Sequence, residues 1–229
     1  MKIARLVGCI IAATVAAGSL SSPALAAPSS VDPVAEVQLR AFFDQYEVSD
    51  AVQDSLIAKM DSADRWLSLT ANTKPVSERV QVSGGMKETV STYADGSIAV
   101  SGTQIPQPEG QGGVSAQSVS GCATSSTAYS ATYSNCLADV NLGIMRMYFR
   151  FNWRKTFGTS ATITSFDPNS RGGHCILCSM ANQRVYRINS SDVRFAAETT
   201  VAWDGSPVQI TAYMGARTNL SSGAFTYHN

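Results

Sequence analysis

The chain has 229 residues, of which 44% are hydrophobic, and its 17 Lys and Arg match its 17 Asp and Glu, for a formal charge of zero at pH 7. That length suffices for one sizeable core or two modest ones, and the balanced charge favours no class of partner. Beyond the N-terminal segment no apolar run reaches the roughly 18 residues that a membrane span requires, which excludes a transmembrane helix from the mature chain.

The N-terminus reads as a secretory signal: Lys2 and Arg5 form a basic start, a mostly apolar run covers Leu6 to Ala17, and Ala24-Leu25-Ala26 offers the small-x-small cleavage pattern. Cleavage after Ala26 directs the protein outside the cytoplasm. "LVGC" at residues 6 to 9 has the form of a lipoprotein processing site, but the apolar segment follows Cys9 instead of preceding it. Charge is unevenly spread beyond the signal. Residues 27–110 carry 12 acidic and 6 basic side chains, whereas 111–229 carry 5 acidic and 9 basic. Two distinct units that attract one another would explain this asymmetry.

Helical signals occupy residues 32–69. Asp32 followed by Pro33 fits an N-cap and first helical position, with Val34, Val37, Leu39, Ala41, Phe42 and Phe43 as apolar positions. After a break near Glu47-Val48, "SDAVQDSLIAKM" restarts the pattern, with Ser49 or Asp50 as cap and Val52, Leu56, Ile57 and Met60 on one side. Trp66, Leu67 and Leu69 either continue this second helix or close the pair. From Glu78 the period changes to that of strands. "KETVSTY" and "SIAVSGTQI" flank Ala94-Asp95-Gly96, a hairpin signal. A lone hairpin is marginal, so it must pack on the helices or join a larger sheet.

"IPQPEGQGGVSAQSVSG", residues 105–121, is poor in bulky apolar groups and reads as an exposed linker. Beyond it lie short β-branched and aromatic runs: "TAYSATYS", "ADVNL", "MRMYFRFNW", "SATITSF", "QRVYRI", "VRFAAETTVAW", "PVQITAYM" and "AFTYH". About eight strands in this span predict an antiparallel sandwich. The expected class is therefore α+β. A signal peptide (1–26) precedes a helix pair with a β-hairpin (27–104), a linker (105–121) and a β-sandwich domain (122–229).

Four cysteines follow the signal: Cys122, Cys136, Cys175 and Cys178. An even count outside the cytoplasm implies disulfides, and of three connectivities the local one is preferred, Cys122 with Cys136 and Cys175 with Cys178. "RGGHCILC" raises two alternatives. Cys175 and Cys178 with His174 and His228 form a four-ligand set for zinc, and a CxxC can act as a redox pair. Redox cysteine pairs usually sit where a helix N-terminus lowers a thiol pKa, and neither flank looks helical. The structural disulfide is the favoured reading, with no metal and no cofactor.

"FFDQYEVSDAVQDSLIAKMDSADRW", "TYADGSIAV" and "GCATSSTAYSATYSNC" together resemble a group of uncharacterised secreted proteins from actinobacteria. The resemblance covers most of the mature chain. It implies a two-part layout with an N-terminal helical segment and a C-terminal β-rich domain, supports pairing Cys122 with Cys136, and carries no activity. "HCILC" lies outside the shared pattern.

The candidate site lies in "MRMYFRFNWRK", residues 145–155. Met145, Met147, Phe149, Phe151 and Trp153 take every odd position, which falls on one face of a strand but would wrap around a helix. The other face is Arg146, Tyr148, Arg150, Asn152 and Arg154. Successive arginines then stand about 13 Å apart, with a Tyr and an Asn between them. Guanidinium groups hold phosphate or carboxylate through paired hydrogen bonds, and Tyr148 can stack on a sugar or base. The competing expectation is internal neutralisation by cross-strand acids or by the acidic helices bearing Asp44, Glu47, Asp50, Asp54, Asp61 and Asp64.

Catalytic patterns are scarce. The chain has two histidines, no GxSxG elbow and no phosphate-cradling glycine loop. A glycan hydrolase using two carboxylates remains the alternative, with Asp139, Asp167, Asp192, Glu198 and Asp204 as candidates in the β half. A carbohydrate platform drawn from Tyr129, Tyr133, Tyr148, Tyr186, Tyr213, Trp153 and Trp203 is a further alternative, although strand parity buries Trp153 and Trp203. The sequence thus predicts a secreted, disulfide-bonded, non-catalytic binding module. Its partner is an anionic cell-envelope polymer or a protein, with nucleic acid disfavoured.

Overall fold

A computed structural model describes residues 31–62, 64–108, 121–203 and 206–229. The signal peptide and most of the linker lie outside the described residues. Helix α1 (Pro33–Gln45) starts as its sequence dictates: the Asp32 carboxylate accepts from the Val34 and Ala35 amides, and Pro33 takes the first turn. It buries Ala35, Leu39, Phe42 and Phe43, while Val34 and Val37 point to solvent. Of the six apolar positions named from the sequence, Leu39, Phe42 and Phe43 are buried and Val34, Val37 and Ala41 are exposed. Positions 35, 39, 42 and 43 form one stripe at helical spacing, and 34 and 37 fall off it. Glu47, with φ of 61°, makes the break before α2 (Asp50–Lys59), which buries Leu56 and Ile57. Trp66 closes the pair. Its ring is fully buried and its indole N–H donates to the Leu56 carbonyl, ahead of a single 3-10 turn at Leu67–Leu69.

Twelve strands follow: β1 (Ser77–Ser83), β2 (Met86–Thr92), β3 (Ile98–Gln104), β4 (Gln107–Pro108), β5 (Ala123–Ser126), β6 (Ser130–Asn141), β7 (Met145–Thr156), β8 (Ser160–Cys175), β9 (Cys178–Asn189), β10 (Asp192–Trp203), β11 (Ser206–Asn219) and β12 (Gly223–His228). Eight of them lie beyond the linker, the number expected there. "TAYSATYS" and "ADVNL" merge into the single strand β6, which has an irregularity between Tyr133 and Cys136, and β5 is an additional short strand. The strands form an eight-stranded and a four-stranded sheet, the latter in the order β12-β11-β10-β9, giving an α+β fold with a β-sandwich.

β6 organises the larger sheet. One edge pairs with β7, which pairs in turn with β8, and the other edge is shared between β5 (at residues 131–134) and β3 (at residues 138–141). Through β3 the hairpin joins the C-terminal strands. One apolar cluster includes Leu39, Phe43, Leu56 and Trp66 from the helices, Val90 and Val100 from the hairpin, and Phe149, Phe195 and Met214 from the sandwich. The chain does not divide into two cores at residues 105–121. A two-helix layer on a three-stranded meander buries too little alone, and extending the sheet through β6 supplies the missing surface.

The sheets face one another through the odd side chains of β7: Met145 receives a hydrogen bond from Thr199 of β10. The helices lie on the opposite face of the larger sheet, where the Tyr46 hydroxyl donates to Glu88 of β2. Gly143, in the β6–β7 turn, has φ of 82°, and a Cβ there would come within 3.2 Å of the Phe42 and Trp66 rings. Only glycine meets both conditions. The disulfides are Cys122–Cys136, which ties the start of β5 to β6, and Cys175–Cys178, which spans the β8–β9 turn. No helix among the described residues is long and apolar enough to cross a membrane.

Candidate anion-binding face

In β7 the alternation is complete from residue 145 to 153: Met145, Met147, Phe149, Phe151 and Trp153 are buried and the residues between them are partly exposed. All five predicted site residues therefore share one face, the one that carries the helices. The helix layer meets it at the Arg146 end, where Gln45 and Tyr46 join Glu88, Asp139 and Arg146 around a crevice of about 120 Å³.

Along this strip the five side chains have different surroundings. Arg146 is tied to Asp139 by two contacts of 2.8 Å, and Asp139 is 8% exposed. Burial raises the Asp139 carboxyl above its ordinary value despite the guanidinium beside it. Tyr46, in the same crevice, is pushed up to about 12, by burial first and then by the negative charge of Glu88. The Arg146 guanidinium also lies 5.8 Å from the centre of the Tyr148 ring. Tyr148 lies over Gly172 of β8, where a Cβ would come within 2.4 Å of its hydroxyl. A glycine at 172 thus creates the space in which this ring rests.

Arg150 and Asn152 hold the β6 irregularity. Asn135 has φ of 59°, its carbonyl accepts from Arg150, and its amide donates to the Asn152 side chain at 2.6 Å. Asn152 also donates to Ser165 on β8 at 2.7 Å. Its amide is consequently engaged on both sides and serves the sheet. Arg154 is exposed, and its contact is a long one, 3.5 Å to Thr132. Neither Arg150 nor Arg154 has a carboxylate within ion-pair distance among the described residues.

Among the described residues an ion pair therefore forms at Arg146 alone on this face, from a neighbouring strand, although Asp167 of β8 stands opposite Arg150 in register. The helical acids that form ion pairs turn elsewhere: Glu47 meets Arg79 and Asp54 meets Arg40, while Asp44 accepts from Gln53. Asp139 was legible as a carboxylate but not as the partner of Arg146. It stands opposite Tyr148, diagonal to Arg146, a relation that only strand register reveals.

The other predicted chemistries are placed as follows. Cys175 and Cys178 bond to each other, and His228 Nδ1 lies 2.9 Å from the carbonyl of Asn229. Of the five candidate carboxylates, Asp139 binds Arg146, Asp192 binds Arg217 and Tyr227, Asp167 accepts from the Asn169 amide and Glu198 accepts from Asn182. Asp204 lies outside the described residues, as does the Trp203 side chain. Trp153 is buried as expected, stacked face to face on Tyr133 with ring centres 3.8 Å apart. No family model matches the chain, and no curated protein or solved structure matches it at a significant level.

Proposed function

We propose that this protein is a secreted, non-catalytic binding module that holds an anionic cell-envelope polymer along the open half of the β7 face, through Tyr148, Arg150 and Arg154. One observation carries this reading: the two outer arginines have no carboxylate partner among the described residues, with Arg154 exposed and Arg150 half-buried. A guanidinium presents five N–H donors, and the one bond that Arg150 gives to Asn135 leaves a fork for a phosphate or carboxylate. Tyr148 supplies a flat surface between the structural and the open ends of the strip. The signal-like N-terminus and the two disulfides support an extracytoplasmic location. The resemblance to secreted actinobacterial proteins points the same way.

The hydrolase alternative has less support. The crevice that brings Glu88 and Asp139 together holds about 120 Å³, small for a sugar ring, and Asp139 is already committed to Arg146. The decisive experiment measures retention of the mature protein on immobilised polygalacturonate and on a polyglycerol-phosphate polymer across a salt series. Arg150→Ala with Arg154→Ala should abolish retention and its salt dependence, and Arg154→Ala alone, which removes only a long contact to Thr132, should weaken retention while leaving the melting curve in place. Retention equal to that of the parent protein would refute the proposal.

A further inference from the structure

A second cationic feature lies on the opposite side of the same sheet. Where β6 passes from β5 to β3, its register with β7 is interrupted between Tyr133 and Cys136, and a cavity of about 330 Å³ opens beside the gap. Tyr133 and Trp153 form its aromatic wall, with their rings 3.8 Å apart and 5° from parallel. Trp153 is 5% exposed and backs the half-buried Tyr133. Gly223 closes the far side of the indole: a Cβ there would lie 3.3 Å from the ring. Lys87 of β2 and Lys155 of β7 also line the cavity. No acidic residue does, and neither lysine has a carboxylate partner among the described residues.

A cavity of this size, with a flat aromatic wall beside lysine, threonine, glutamine and serine side chains, has the general form of a small-molecule site. Two ammonium groups with no counter-charge among the described residues select an anion, and the aromatic wall selects a ring. We infer that this cavity binds a small ring-shaped carboxylate, with its ring packed on Tyr133 and its carboxylate held by Lys87 and Lys155. This site is independent of the polymer reading, because Lys155 and Trp153 lie on the odd side of β7 and the arginines on the even side.

The test is calorimetric titration of the mature protein with D-glucuronate and benzoate, the saccharide and aromatic forms of this chemistry, against methyl glucoside and benzyl alcohol as neutral counterparts. At least one acid should bind saturably, and its neutral counterpart should bind about tenfold more weakly or worse, as expected when a charge-assisted contact is lost. Lys87→Gln and Lys155→Gln should each weaken the acid by about the same factor, and Tyr133→Leu should weaken acid and neutral alike. Arg154→Ala, whose exposed side chain makes only a long contact to Thr132, should change nothing here, which separates failure of this site from failure of the polymer face. Saturable binding by neither acid, equal binding of acid and neutral forms, or acid binding indifferent to both lysine substitutions would each overturn the inference.

Discussion

Replacing Arg146 by alanine tests whether the arginine strip divides into a structural end and an open end. The substitution leaves the Asp139 carboxylate, 8% exposed, without the guanidinium that contacts it twice at 2.8 Å. Breaking a fully buried pair costs about 3–5 kcal/mol; the Arg146 side chain is 42% exposed, so water recovers part of that loss, and about 2–3 kcal/mol is expected. Arg154→Ala, which removes one long contact from an exposed side chain, should cost less than about 0.5 kcal/mol. Urea denaturation at pH 7 reads both, and Asp139→Asn added to Arg146→Ala should restore most of the loss by removing the stranded charge. The pH dependence has a definite sign. Burial already raises Asp139 in the fold, and losing Arg146 raises it further, so the folded state binds the proton more tightly than the unfolded chain. The deficit is complete above the folded pKa and fades as pH falls toward the unfolded value of about 3.9. Equal costs for Arg146→Ala and Arg154→Ala, or a deficit that grows on acidification, would refute the assignment.

Asp95 joins the helices to the hairpin. It accepts from Lys59 and the Leu67 amide through one oxygen and from the Ser97 amide and hydroxyl through the other. Asp95→Ala should cost about 2–4 kcal/mol in urea melts, because buried donors lose their acceptor. Its carboxyl is held below its ordinary value by the hydrogen bonds from Ser97, Leu67 and Lys59, which outweigh burial. Its contribution is thus present above about pH 4 and lost as pH falls further. Tyr46, at about 12, contributes stability below pH 10 that disappears as pH rises toward 12; Tyr46→Phe should reduce that alkaline loss by about 1–2 kcal/mol, with solvent access at the hydroxyl allowed for. Replacing Cys122 and Cys136 by serine should cost about 3 kcal/mol for a loop of this length. The Cys175–Cys178 ring is far smaller and should matter less.

What the sequence revealed and what it hid follow from the range of each interaction. Parity in β7 was legible because one face packs on the second sheet, so the alternation of Met, Phe and Trp with Arg, Tyr and Asn leaves one orientation possible. The Asp32-Pro33 start and the Asp95-Gly96 turn were legible because each is satisfied within a few residues. Listing the apolar positions of α1 did not separate the buried Leu39, Phe42 and Phe43 from the exposed Val34 and Val37, because angular position and not composition decides burial. The continuity of the sheet was hidden, since β3 meets β6 across a linker whose composition gives no hint of that pairing. For the same reason neither the partner of Arg146 nor the union of Lys87 with Tyr133 and Lys155 could be read locally.

The irregularity at Tyr133–Cys136 connects both proposed sites. An uninterrupted β6 would carry its pairing with β7 straight through, and Asn135 would need no outside partner for its carbonyl. Because the strand is interrupted, Arg150 and Asn152 turn toward Asn135 on one face, while on the other face the handover from β5 to β3 leaves room for a cavity against Tyr133. Bulges of this kind redirect side chains at a local cost in pairing. Here that cost is offset by the Cys122–Cys136 disulfide, whose second cysteine sits at the interruption itself. The bond holds β5 against β6 where the ladder is weakest. Reducing it should therefore loosen β6 at residues 133–137 before it disturbs Arg154, which lies beyond the interruption, where β6 and β7 pair in regular register. Hydrogen exchange at the amides of residues 133–137 and 153–155, with the bond intact and reduced, would show whether protection is lost in that order. Simultaneous loss at both places would mean that the irregularity is not an independent hinge.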